Sequence, residues 1–170
     1  AYIERIPNGG ETLKGDLFTP GFGGKGANQA VMAAISGAKT YFIGSIGNDV
    51  FGDAIAENFQ ARGVNSEYLQ RSSAPTGVAH IWVEKSGENR IIIIPGANHE
   101  IDVEKAIKAI QEIPNLEIVI GQCEIKQSVT LAAFKAAKTR GATTILNPAP
   151  FETLSAELIA HCDWIIPNES

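Results

Sequence analysis

Short apolar runs suited to strands alternate with longer runs of helical spacing through most of this 170-residue chain, and few architectures accept that order. Ala27, Ala30, Val31 and Ala34 recur at helical spacing between 25 and about 36, and Gly37 follows as a C-terminal cap. The run YFIGSIG reads as a strand, 49–62 as a helix closed by Gly63, and LEIVIGQ as the next strand. A helix over 127–140 closed by Gly141, the strand TTILN, a helix over 155–161 and the strand DWIIPN complete the series. The order implies an α/β fold: a doubly wound, mainly parallel sheet flanked by helices.

One segment breaks the rhythm. Residues 76–85 alternate, Ser86-Gly87-Glu88 supplies a turn, and 89–94 alternate back, which predicts a β-hairpin. Such an insertion serves as a lid, as an oligomer contact, or as an edge extension of the main sheet. Ile81, Trp82 and the isoleucine run 91–94 exceed what a solvated hairpin leaves uncovered, so a homodimer formed through two lids is expected. The stretches 64–75 and 97–115 receive no element.

Composition excludes several classes. A formal net charge of −5, with acids and bases scattered, offers no basic block for a phosphodiester backbone, so nucleic acid is not an expected partner. No apolar run approaches the ~20 residues needed to cross a bilayer, so no membrane association is expected and the protein reads as cytoplasmic. Cys123 and Cys162 lack C-x-x-C spacing and lie in apolar surroundings, which suits buried small hydrophobes. The missing initial Met, and an apolar strand close to Ser170 with no helix after it, lead us to expect a piece of a longer chain.

Gly21, Gly23 and Gly26 match G-x-G-x-x-G immediately before the first helix. A dinucleotide fingerprint needs a strand leading into the first glycine and an acid closing the next strand. Here Asp16-Leu17-Phe18-Thr19-Pro20 precedes Gly21, and the next strand closes with Ser45-Ile46-Gly47. A phosphate loop fails too, because Gly26 rather than Ser or Thr follows Lys25. Two readings remain open: a glycine turn beside a solvated lysine, or a polyol site in which the Gly23-Gly24 backbone approaches a ligand and Lys25 and Asn28 bond to its hydroxyls. Glu124, Asn147 and Asn168 each follow a strand, and ligands in open α/β sheets bind outside the carboxyl ends of strands. Together with the helix starting near Lys25 they describe a polar cleft.

The run GGKGANQA, with TGVA, PGAN, NPAP and the terminal PNE, resembles the ribokinase branch of the ribokinase-like sugar kinases across essentially the whole chain. The resemblance implies ATP-dependent phosphorylation of D-ribose at its 5-hydroxyl, with a related kinase for another sugar, nucleoside or sugar acid, or a non-catalytic sugar-binding module, as alternatives. It implies that the Gly24 backbone, Lys25, Asn28 and Glu124 bond to the sugar. Ala79 and Ile81 would touch it from the lid, and Gly23-Gly24 would be the hinge. Asn168 and Glu169 open the family's N-x-x-E motif, implying a nucleotide contact at Asn168 and a magnesium contact at Glu169. Lid segments are expected at about 10–20 and 76–95. The catalytic aspartate, the adenine pocket and a monovalent-cation (K+) site are expected after Ser170, so the chain would carry no catalytic base of its own.

Overall fold

The computed structural model describes residues 1–169 and contains eight strands and five α-helices among them. In order they are β1 (Tyr2–Ile3), α1 (Lys25–Ile35), β2 (Gly44–Gly47), α2 (Val50–Ala61), β3 (Leu69–Ser72), β4 (Val78–Glu84), β5 (Asn89–Ile94), α3 (Val103–Glu112), β6 (Ile118–Gln122), α4 (Gln127–Thr139), β7 (Thr143–Asn147), α5 (Ala156–Ala160) and β8 (Trp164–Ile165). A short 3-10 turn, Gly96–Glu100, lies between β5 and α3. The α/β alternation is as the sequence implies. Apart from the parallel pair β1-β4, however, the parallel strands form two hydrogen-bonded groups, β2-β3 and β6-β7-β8, instead of one continuous sheet.

Residue parity on β6 explains the double winding. Val119 faces α4 and belongs with Phe134, Leu146 and Leu158, the last three essentially inaccessible to solvent. Gly121 has the same parity, and a Cβ there would come 2.8 Å from Thr130 Cγ2 and 3.1 Å from Phe134 Cζ, so the helix packs against bare backbone. Ile118, Ile120 and Gln122 have the opposite parity. The N-terminal turn of α1 sits against Gln122, while Ile118 and Ile120 stay exposed. Ile43 packs against both the Ile110 and the Ala106–Val129 clusters, joining α3, α4 and the strand layer into one core.

The hairpin has the form the alternation implies: β4 and β5 pair antiparallel, with Ala79 opposite Ile93 and Ile81 opposite Ile91. Its second neighbour is β1, which runs parallel to β4 with Tyr2 opposite Val83. The segment 10–20 contributes only an isolated bridge, Tyr2 with Leu17, to this layer. Three elements had no counterpart in the sequence reading: the two-residue β1, α3 and β3. Helix α3 is capped by Asp102, which accepts the Lys105 N–H at 3.1 Å, and buries Ala106, Ala109 and Ile110. Strand β3, LQRS, has no apolar run and owes its form to parallel pairing with β2.

Candidate functional site

Helix α1 begins at Gly24, whose φ of +90° is open to glycine and strained for other residues. Gly24 has no side chain to cap the helix. The missing acceptor comes from a distant strand end: Glu124 Oε2 accepts the Lys25 N–H at 2.6 Å. The carboxylate is half-buried, and its other oxygen makes no hydrogen bond within the described residues. Lys25 and Asn28, three residues apart, share one helix face, and Asn28 is exposed. The structure therefore gathers Gly24, Lys25, Asn28 and Glu124 at one place, the carboxyl end of β6. Gly23 precedes the turn, has no left-handed φ, and a Cβ there would meet nothing within 4 Å.

Gly26, the last glycine of the spacing, has a packing role. A Cβ there would lie 2.6 Å from Gln122 Oε1, and Gln122 is held because its Nε2 donates to Gln29 Oε1 at 2.6 Å. This Gln122–Gln29 pair locks α1 to β6 beside the Glu124 contact. Sequence reasoning did not single it out, although the GGKGANQ run and the strand LEIVIGQ contain both glutamines.

The polar edge continues along the parallel strands. Gln122 is in register with Asn147, whose Nδ2 donates to the Ile166 carbonyl at 2.8 Å and lies 3.4 Å from Asn168 Oδ1. Asn168 and Glu169 are exposed at the same carboxyl edge. The Cys123 N–H donates to the Ala149 carbonyl at 3.1 Å, pinning the NPAP turn against the end of β6. Cys123 itself is buried, and burial foremost, with the neighbouring Glu152, pushes its thiol up to about 11, which leaves it inert as a nucleophile. Cys162 is also free, and its thiol donates to the Leu158 carbonyl.

Ala79 and Ile81 stand apart from this cluster, on the hairpin and on a different sheet from β6. Both are exposed on strand β4, and their shared parity puts them on one face. Trp82, by contrast, is partly covered, while Ile91 to Ile94 are each between 43% and 55% exposed, an apolar surface left open among the described residues.

Among the described residues no group of three or more His, Cys, Asp or Glu side chains converges as a metal cage. Glu169 and Asn168 can each offer an oxygen. That suits a magnesium ion held mainly by phosphates and water, not one enclosed by protein. No helix of the described residues is long and apolar enough to cross a membrane.

The pfkB family carbohydrate kinase model matches residues 1–170. A ribokinase of Staphylococcus aureus (strain COL) is 40% identical over 170 residues, covering 99% of this chain and 56% of that protein. A deoxyribokinase of Salmonella typhi is 34% identical over 171 residues, again covering 99% of this chain and 56% of the relative. Among solved structures, Arabidopsis thaliana ribokinase complexed with ribose and ATP superimposes with a TM-score of 0.86 at 35% identity, covering 99% of this chain and 55% of that one. This chain thus spans about half the length of the relatives it matches. A match along the whole chain, on the fold that the GGKGANQA, NPAP and PNE runs had suggested, establishes that the chain belongs to the pfkB family of carbohydrate kinases.

Proposed function

We propose that this chain is the sugar-binding part of a kinase that transfers the γ-phosphoryl group of ATP to the 5-hydroxyl of D-ribose. The observation that carries the reading is the 2.6 Å contact between Glu124 and the Lys25 N–H, which unites the two motifs assigned to the sugar. Lys25 and Asn28 donate to sugar hydroxyls, the Gly24 backbone approaches closely because it has no Cβ, and the second oxygen of Glu124 accepts from a hydroxyl. Fixing the alcohol in this way aligns it for in-line attack and recovers the entropy that a bimolecular encounter loses.

The hairpin is the lid. Ala79 and Ile81 cover the apolar side of the sugar, and closure about Gly23-Gly24 excludes water, which competes as an acceptor. Asn168 contacts the nucleotide phosphates, and Glu169 holds magnesium through oxygen. Magnesium supplies neutralisation of phosphate charge when bound. We assign the base that accepts the hydroxyl proton, the adenine pocket and a potassium site to the part of the family's length that this chain does not span. A cytoplasmic homodimer clasped through the exposed isoleucines of β5 completes the reading.

The relatives include both a ribokinase and a deoxyribokinase, so the sugar is tested directly. A coupled ADP-release assay on the protein at its full native length, with ribose, 2-deoxyribose and fructose in parallel, is expected to give the highest kcat/KM on ribose. A higher value on another sugar moves the assignment to a sister kinase.

A further inference from the structure

The neck of the hairpin is the most tightly built junction outside the sugar edge. Thr76, only 4% exposed, enters β4 through Gly77, and Pro95-Gly96-Ala97 leaves β5 beside it. The Ala97 N–H donates to the Pro75 carbonyl at 2.8 Å. A Cβ at Gly96 would lie 2.2 Å from the Pro75 oxygen, and one at Gly77 2.5 Å from the Pro95 oxygen. The two arms of the neck therefore touch backbone to backbone and move as one piece.

That piece is tied to the parallel layer through the side chains of Asp49 and Thr76. Asp49 Oδ2 accepts the Thr76 N–H at 2.7 Å, and Asp49 Oδ1 accepts both the Thr76 hydroxyl at 2.7 Å and the Gly52 N–H at 2.9 Å. The Thr76 hydroxyl in turn accepts the Gly47 N–H at 2.9 Å, so the end of β2, the first turn of α2 and the start of β4 meet on two side chains. Arg71 reinforces the corner from β3, donating to the Gly47 carbonyl at 3.2 Å while pairing with Asp53 at 2.7 Å. An N-cap role alone needs only the Gly52 bond. The two bonds to Thr76 go beyond it.

We propose that Asp49 is a positioning residue for the hairpin: by holding the Thr76 N–H and hydroxyl together with the start of α2, its carboxylate fixes the angle at which β4 and β5 leave the parallel layer. Its consequence for the reaction rests on the reading that Ala79 and Ile81 touch the sugar. Asp49 touches neither substrate nor reacting atoms and acts only through Thr76.

Asp49→Ser separates the two roles, because the hydroxyl caps α2 through Gly52 yet is too short to span to the Thr76 N–H. In Asp49→Ser of the full-length protein, hydrogen-exchange protection of the β4–β5 ladder is expected to fall about tenfold or more, while that of β6 and β7 holds. Thr76→Val removes the hydroxyl's bonds to Asp49 and Gly47 but leaves the Thr76 N–H on Asp49, so a smaller loss of the same pattern is expected, whereas Thr76→Ser keeps it as in the parent. Should Asp49→Ser fail to fold, the valine variant reads the hydroxyl half of the tie. Protection of β4–β5 unchanged in the valine variant, or lost equally in β6 and β7, overturns the proposal. A sugar KM raised several-fold with the ATP KM unmoved is the expected kinetic counterpart. Failure of the protein to phosphorylate any sugar, with the exchange pattern intact, removes the functional reading and leaves the positioning of the hairpin standing.

Discussion

Glu124 and Lys25, 99 residues apart, meet at 2.6 Å because the carboxylate accepts the first free N–H of helix α1. The contact caps α1, and under the proposed function the second carboxylate oxygen also accepts from a sugar hydroxyl, two roles that substitutions can separate. Glu124→Gln keeps an acceptor for the Lys25 N–H but loses the charge, while Glu124→Ala loses both. Charged hydrogen bonds contribute about 1.5 to 3 kcal/mol each, so the alanine variant is expected to weaken ribose binding by one to two orders of magnitude or more, measured by calorimetry. The glutamine variant is expected to lose affinity while retaining exchange protection at the start of α1. Unchanged ribose affinity in the alanine variant removes Glu124 from the sugar site.

The paired glycines are expected to respond differently. Gly24→Ala forces a side chain into φ +90° and is expected to cost about 1 to 3 kcal/mol, lowering Tm by several degrees. Gly23→Ala meets no neighbouring atom within 4 Å and is expected to leave Tm nearly unchanged. If Gly23 is the hinge, its alanine variant instead alters sugar KM and kcat together. Equal melting shifts for both variants contradict the assignment of strain to Gly24 alone.

Acid sensitivity follows from two carboxylates. Asp163 is lowered from 3.8 to about 2, chiefly by Lys138 at 2.5 Å and then by the Thr144 N–H at 2.8 Å. Asp49 is likewise lowered to about 2, chiefly by the Thr76 N–H. A carboxyl held below its unfolded pKa binds fewer protons when folded, so its contribution is fully present above about pH 4 and is lost as the pH falls toward 2. Urea midpoints taken between pH 6 and pH 2 are expected to decline steeply below 4. Asp163→Asn is expected to be less stable than the parent at pH 6 and to decline less steeply, the remaining slope reporting Asp49 and the other lowered acids. A slope in Asp163→Asn equal to the parent's contradicts the Asp163 assignment.

The isoleucine row of β5 carries the subunit prediction. Two hairpins that clasp bury Ile91 to Ile94, so sedimentation at micromolar concentration is expected to give a dimer, and Ile93→Glu a monomer. A strictly monomeric parent removes the clasp and leaves the lid assignment untouched.

Much of this fold was legible because its signals are local. The helix starting at Lys25, the caps at Gly37, Gly63 and Gly141, and the turn at Ser86-Gly87-Glu88 are decided within a few residues of sequence. Helix α3 was legible and was missed: Val103, Ala106, Ile107 and Ile110 recur at helical spacing behind the Asp102 cap. Strand β3 was missed because LQRS has no strand pattern and forms only against β2. Glu124 and Lys25 were each legible as motif residues. Their contact, like that of Asp49 with Thr76, depends on tertiary distance and could not be read from either motif alone.

Under the proposed function, the Gly24–Lys25–Glu124 edge presents a ribose hydroxyl to ATP. The most direct test follows the phosphorylation of D-ribose by the full-length protein with ATP and magnesium, identifying the product by phosphorus NMR. The expected product is ribose 5-phosphate, formed with ADP in equal amounts and lost or strongly reduced in Glu124→Ala. ATP hydrolysis without a sugar phosphate, or ribose 5-phosphate formed at the parent rate by Glu124→Ala, would contradict the proposed function.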